Sequence, residues 1–257
     1  MFQNLCGLNP DQTMARIFIT GSADGLGQLS AKRLIELGHK VVVHGRNGER
    51  AKEAMKKNPA AESVLAGDLS NIEETKKLAD DANKLGIFDA VIHNAGVYRG
   101  SAKEIFAVNT LAPYVLTCLM QKPKRLIYLT SGMHSHGHFN ADNFKPGAGH
   151  ITYSDSKLHV VMLSFAVARK WTDVYSNAVN PGWVPTKMGG RGAPDDLQKG
   201  YETQVWLAVS NDDEAKVSGR YFFHQHEKRH SPEADDVLSQ DRFLNLCKEI
   251  TGVSFPG

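Results

Sequence analysis

Ile17 to Gly27, IFITGSADGLG, is the stretch that most narrows what this chain can fold into. Ile17, Phe18 and Ile19 form a short β-favouring apolar run. Gly21, Gly25 and Gly27 follow, and from Leu26 to Leu37 apolar residues return at helical intervals (Leu26, Leu29, Leu34, Ile35, Leu37), with Gly38 placed to stop the helix. A strand that turns directly into a helix leaves backbone N–H groups unpartnered at the helix start. Those donors and the positive end of the helix dipole suit a pyrophosphate. The spacing Thr20-Gly21-x-x-x-Gly25-x-Gly27 departs from the commoner G-x-G-x-x-G. The glycines alone would fit a tight turn in any α/β protein; the flanking strand and helix favour a nucleotide.

Downstream, strand and helix patterns alternate. Strands are expected at Lys40–His44, Ser63–Ala66, Phe88–His93, Arg125–Leu129, Val174–Val179 and Gly219–Phe223. Helices are expected at Glu49–Asn58, from a Ser70 cap to about Leu85, then Lys103–Met120, Tyr153–Trp171, Tyr201–Ser210 and Arg242–Thr251. Ser70 with Glu73 three residues on reads as a capping box. The early strands are continuous apolar runs, the pattern of a parallel sheet covered on both faces. The expectation is one α/β domain over 1–257, a doubly wound (Rossmann) sheet of about seven parallel strands. Ligands of such sheets sit beyond the carboxyl ends of the strands, and Arg46, Asp68, Asn94, Ser131 and Pro181-Gly182 all fall there.

Net charge is +2 with both signs dispersed, which argues against a nucleic-acid surface. No apolar run reaches the roughly 20 residues of a bilayer span, and the first fifteen residues lack the apolar core of a secretion signal. Cys6, Cys118 and Cys247 fit neither a disulfide framework nor a zinc site, so a reducing cytoplasm is expected. Where an NAD site carries an acid after its second strand, this chain has Gly45-Arg46-Asn47. A guanidinium matches a phosphate, so NADP(H) is expected over NAD(H); the milder reading of Arg46 is a solvated surface arginine.

Tyr153 and Lys157 stand four apart on an expected helix and share a face. A free phenol has a pKa of about 10, and a nearby ammonium would lower it towards the range useful for acid–base catalysis. Alone, the pair reads as a surface contact. In order along the chain, however, stand Thr20-Gly21-x-x-x-Gly25-x-Gly27, Asp68, Asn94-Ala95-Gly96, Asn109, Ser131, Tyr153-x-x-x-Lys157 and Pro181-Gly182 with Thr186. This set, over about residues 15 to 225, resembles the short-chain dehydrogenase/reductase family. Arg46-Asn47 and Tyr-Ser-x-Ser-Lys look most like its retinol-dehydrogenase-type and related bacterial members.

The resemblance implies an oxidoreductase in which Tyr153 gives a proton to a substrate carbonyl, Ser131 binds that oxygen, and Lys157 lowers the tyrosine pKa and holds the nicotinamide ribose. Asn109 would position a water feeding protons to Lys157. It also implies a cofactor site of Thr20, Gly21, Ser22, Asp24, Gly25, Leu26, Gly27, Arg46, Asp68, Leu69, Asn94, Ala95, Gly96, Tyr153, Lys157, Pro181, Gly182, Val184 and Thr186. Within it Thr186 would take the carboxamide, Asp68 the adenine, and Asn94-Ala95-Gly96 would pack beside the adenosine half. The milder readings are that Asn109 caps or kinks its helix and that Thr186 starts a turn. The expected substrate is a small ketone or aldehyde of fairly apolar character, or its alcohol. The alternative is a redox-sensing protein that holds NADP(H) without turnover.

Two departures from the family pattern stand out. The segment 132–152 is long and carries His134, His136, His138 and His150; it is read as a flexible pocket loop rather than a metal site, no Cys or paired carboxylate standing beside the histidines. The segment from Cys118 to Arg125 is short, which reduces the surface for a homo-oligomer and argues against a tetramer. Residues 187–200, rich in Gly and Pro, are expected to form a mobile substrate lid.

Overall fold

The computed structural model describes residues 13–145 and 151–256. Cys6 and His150 lie outside them. β1 (Arg16–Ile19), α1 (Gly25–Glu36), β2 (Lys40–Gly45), α2 (Gly48–Lys57), β3 (Ser63–Ala66), α3 (Ile72–Lys84) and β4 (Ala90–His93) make the first half. The second half holds α4 (Ala102–Phe106), α5 (Ala112–Leu119), β5 (Arg125–Leu129), α6 (Tyr153–Lys170), β6 (Tyr175–Asn180), α7 (Leu197–Val209), β7 (Arg220–Phe223), β8 (His226–Glu227) and α8 (Val237–Thr251).

One sheet runs in the order β3-β2-β1-β4-β5-β6-β7-β8, parallel except for the β7–β8 pair. Alternate residues of each strand enter opposite layers. Phe18, Val42, Val91 and Leu126 pack with α3, α5 and α6 residues such as Leu78, Val115 and Val161. Ile17, Ile19, Val41, Val43 and Ile92 pack on the other face with Ala31, Leu34, Val205 and Leu207 of α1 and α7. This is the expected doubly wound architecture, and the chain order reverses between β1 and β4, where such sheets open a crevice.

The departures from expectation have local causes. The turn after Phe223 continues into an eighth strand, because His224 and Gln225 both take positive φ (50° and 63°) and reverse the chain without the usual Asn-Gly signal. α3 is capped by Asn71, whose Oδ1 accepts the Glu73 and Glu74 N–H groups. Ser70, the expected cap, turns back to Asp68 instead. The helix expected over 103–120 is interrupted: residues Ala107–Leu111 form a π-helical turn between α4 and α5. Pro113 has no N–H to give the carbonyl four residues back, which is that of Asn109. α8 begins five residues earlier than the apolar pattern indicated, at an Asp236 cap.

Candidate active site

The glycine turn is held from three sides. The Asn94 amide donates to Thr20 O (2.9 Å) and Gly21 O (3.1 Å), and Ala95 N–H donates to Thr20 Oγ1 (3.1 Å). Gly21 has φ +63°, and a Cβ there would lie 2.9 Å from Ala95 Cα, so the backbone of the β4 loop closes on a position only glycine fills. On the β2 side, His44 Nδ1 accepts from Gly21 N–H (2.9 Å) while its Nε2 donates to Gly67 O (3.0 Å). Burial pushes this imidazole down to about 4, so it is neutral and its tautomer is fixed by those two partners. Ser22 is fully buried, with its hydroxyl between Ile19 O (2.9 Å) and the His44 N–H (2.7 Å). Its side chain braces the turn. Asn94 likewise spends its amide on the turn. The bracing role of His44 was not legible, since a histidine at the end of an apolar strand carries no pairing signal.

The other expected cofactor residues spread along the same crevice. Asp24 caps α1, with Leu26 and Gly27 in its first turn. Arg46 is exposed at the end of β2. Asp68 is half-buried, with Oδ1 accepting from Ser70 N and Oγ at 2.9 and 2.8 Å, and Leu69 beside it is buried. After β6, Asn180 Oδ1 accepts the Gly182 N–H (3.0 Å); Val184 is buried, and Thr186 Oγ1 accepts from Gly189 N–H (3.2 Å). Pro181 is half-buried. The segment 187–200 is tied by Trp183: its ring N–H donates to Gly189 O (2.8 Å) and its backbone N–H to Asp195 Oδ2 (2.6 Å). Its last four residues are already the first turn of α7.

Tyr153 opens α6, and a reciprocal capping box fixes that end. Thr152 Oγ1 accepts the Asp155 N–H (3.1 Å), and Asp155 Oδ2 accepts the Thr152 N–H (2.9 Å). Asp155 Oδ1 also accepts the His138 N–H (2.8 Å), which pins the preceding loop to the helix. The Thr152-x-x-Asp155 spacing is the sequence signature of this cap. Lys157 is buried one turn on. Its ammonium donates to Leu129 O (3.0 Å) and lies 5.5 Å from the centre of the Tyr153 ring. Burial pushes Lys157 down to about 8. Burial pushes the Tyr153 phenol up to about 12; the Ser131 hydroxyl draws it down and Tyr98, packed edge-on at 4.8 Å, raises it further. The sequence argument that Lys157 lowers the phenol is therefore not met in this geometry, because the ammonium sits over the ring and binds a carbonyl.

Asn109 lies in the π turn with its side chain fully engaged. Oδ1 accepts the Val97 N–H (2.8 Å), and Nδ2 donates to Val97 O (2.9 Å) and Ser156 Oγ (3.0 Å). Gly96 completes the cluster: a Cβ there would stand 3.2 Å from Lys157 Nζ and 3.4 Å from Asn109 Oδ1. Ser131, Tyr153, Lys157 and Asn109 are thus gathered beyond β4 and β5.

The histidine-bearing loop is described over residues 132–145 and 151–152. It contains two 3-10 turns, Gly132–His136 and Ala141–Phe144. His134 is buried, its Nδ1 donating to Ser131 O (2.8 Å) and its Nε2 accepting the Ser231 N–H (3.1 Å), while His136 and His138 are exposed.

A family model described as short chain dehydrogenase matches residues 15–123. An uncharacterized oxidoreductase of Emericella nidulans is 47% identical over 95% of this chain and 100% of its own. Short-chain dehydrogenase chry4 of Gibberella zeae is 41% identical over 95% and 99%. The chain belongs to the short-chain dehydrogenase family. Retinol dehydrogenase 14 of Homo sapiens, from the branch the sequence pointed to, is 27% identical over 92% of this chain and 86% of its own. Among solved structures, Pseudomonas aeruginosa RhlG in its NADP complex has a TM-score of 0.67 at 19% identity, covering 83% of this chain and 98% of that one. As a short-chain dehydrogenase the chain is an oxidoreductase acting on small molecules, and no helix among the described residues is long and apolar enough to cross a membrane.

The buried Asn109 side chain carries three hydrogen bonds, so Asn109→Ala should lower unfolding stability by about 2–3 kcal/mol in chemical denaturation, apart from any loss of activity.

Proposed function

We propose that the protein is an NADP(H)-dependent oxidoreductase that interconverts a small-molecule ketone or aldehyde and its alcohol, with Tyr153 as the proton donor and acceptor. The observation that carries this reading is the meeting of the buried Lys157 ammonium and Asn109 at Gly96, with the Tyr153 ring 5.5 Å from that ammonium and Ser131 beside the phenol. The residues fit a dinucleotide: the turn Thr20–Gly27 presents a helix N-terminus, the sheet opens at Gly96, and no acid follows β2. The turn, Arg46, Asp68 with Leu69, Asn94 to Gly96, and Pro181 to Thr186 would hold it. When bound, the nicotinamide supplies or accepts the hydride.

The chain's own groups handle the proton. In reduction the Tyr153 hydroxyl donates to the carbonyl oxygen, and Ser131 hydrogen-bonds the charge that develops there. A phenol held near 12 is protonated at neutral pH, which suits it to donate. Lys157, held near 8, can lose and regain a proton close to working pH. Pro113 has no N–H to offer the Asn109 carbonyl, which would hold a water that resupplies Lys157.

The substrate side is apolar. Tyr98, Met133, Trp183 and Met188 are among the few large hydrophobics that are exposed, and all stand in segments leaving the carboxyl ends of β4, β5 and β6. Such a rim suits an apolar, ring-bearing carbonyl compound. The free thiols Cys118 and Cys247 suit a reducing compartment, so we place the activity in the cytoplasm.

Tyr153→Phe should abolish NADPH oxidation across a panel of carbonyl compounds while NADPH binding, followed by fluorescence, stays within about twofold; turnover retained by this variant would remove Tyr153 as proton donor. Absence of turnover by the unsubstituted protein on every carbonyl, with dinucleotide still bound, would instead favour a redox-sensing binder. Arg46→Ala should raise the Kd for NADPH by about tenfold and leave NADH almost unchanged, as expected for one lost guanidinium–phosphate contact. Alcohol oxidation needs the phenolate and should rise with pH from neutral to alkaline, whereas carbonyl reduction needs the phenol and should not; initial rates in both directions decide this.

A further inference from the structure

Asp24 stands where three cations from two separate segments meet. It caps α1, with Oδ1 accepting the Gly25 N–H at 2.9 Å. Arg50 Nη2 lies 3.6 Å from Oδ2, Lys57 Nζ lies 3.5 Å from Oδ1, and Lys187 makes a close ion pair with Oδ2. Arg50 and Lys57 belong to α2, the helix leaving β2; Lys187 belongs to the segment after β6. Lys57 is fixed further by donating to Ala23 O (2.9 Å), and Arg50 is shared with Glu53. Burial pushes the Asp24 carboxyl up, but Lys187, the Gly25 N–H and the charge of Lys57 outweigh it and hold the group at about 2, so the carboxylate is charged at any working pH.

Capping does not require that charge. Asn and Ser cap a helix as well as Asp, since the cap needs an acceptor oxygen and not an anion. Three cations converging on one carboxylate at a helix start is instead the arrangement that receives a phosphate. Three positive groups against Asp24 and Glu53 leave +1, so the cluster is basic even with its internal anion in place. Lys187 adds a mechanical link. It ties the lid segment to the cofactor turn, and a Cβ on Gly25 would touch Thr186 at 3.7 Å, so the lid lies directly against the start of α1.

We propose that Asp24 is an internal anion that competes with the 2′-phosphate of NADP(H) for Arg50, Lys57 and Lys187. The phosphate displaces the carboxylate from these cations, and Lys187 then ties the lid segment to the cofactor instead of to Asp24. The inference rests on the dinucleotide reading above and makes Asp24 a specificity residue that holds phosphate affinity down. A cofactor bound too tightly at that end would leave slowly, and the internal competitor shortens its stay.

Asp24→Asn keeps the cap and removes the charge. Equilibrium binding of NADPH and of NADH, measured without substrate by fluorescence titration, tests the idea. Taking one like charge away from the phosphate should lower the Kd for NADPH by about tenfold and that for NADH by less than about twofold. Asp24→Ser should do the same, which separates charge from side-chain size. In an Arg50→Ala background the gain should shrink to less than about threefold, because the competed cation is gone. Equal tightening of both dinucleotides, no change, or weaker NADPH binding would overturn the proposal. Failure of the unsubstituted protein to bind either dinucleotide would overturn the dinucleotide reading itself, an outcome distinguishable from all of these.

Discussion

A buried ammonium is the constraint around which the site is built. Lys157 is almost fully enclosed in α6 and has no carboxylate partner among the described residues. An isolated charge in such a place is expensive, and only specific surroundings make it tolerable. Here they are the Leu129 carbonyl at the end of β5, the face of the Tyr153 ring, and the space left by Gly96. Each comes from a different segment. Thr130 closes the arrangement from the backbone side, its hydroxyl donating to Lys157 O at 2.7 Å. A lysine whose charge is so weakly compensated loses its proton easily, and that property is useful only beside a group that exchanges protons.

The two sides of the crevice are held by different kinds of contact. The cofactor side is braced by groups that have no other partner to choose: His44 bridges two backbone sites, Ser22 is sealed between strands, and the Asn94 amide spans two carbonyls. Breaking any of these leaves a buried polar group unsatisfied. The substrate side is held by loop-to-loop contacts such as Trp183 with Gly189 and Asp195, which are exposed and cheaper to open. A shared cofactor and a varied substrate would place these demands on one chain.

Much of this was legible because it is local. The strand–turn–helix at Ile17 to Leu37, the parallel strands, and the i, i+4 pairing of Tyr153 with Lys157 follow from spacing alone, and the structure has them within a few residues. What escaped reading is set by tertiary choice. Both Ser70 and Asn71 are good caps, and the fold selects Asn71 because Ser70 is drawn to Asp68. Pro113 stands inside the helix expected over 103–120, and only the assembled chain shows that the helix is interrupted around Asn109 by a π turn. His134 falls in the expected pocket loop, whereas two backbone groups from separate segments, Ser131 O and Ser231 N–H, claim its ring. The Tyr153 phenol moved opposite to expectation because sequence spacing gives proximity but not which atom the ammonium approaches.

That last point bears on how the proton is managed. Burial leaves the phenol beside Ser131 protonated, the state that the proposed reduction would use. Taking a proton requires positive charge nearer the phenolic oxygen. Lys157 could supply it only by giving up Leu129 O, and that carbonyl would then need another donor. In the proposed reaction, oxidation and reduction would ask for different positions of one buried side chain, and a Cβ at Gly96 would crowd that side chain at 3.2 Å.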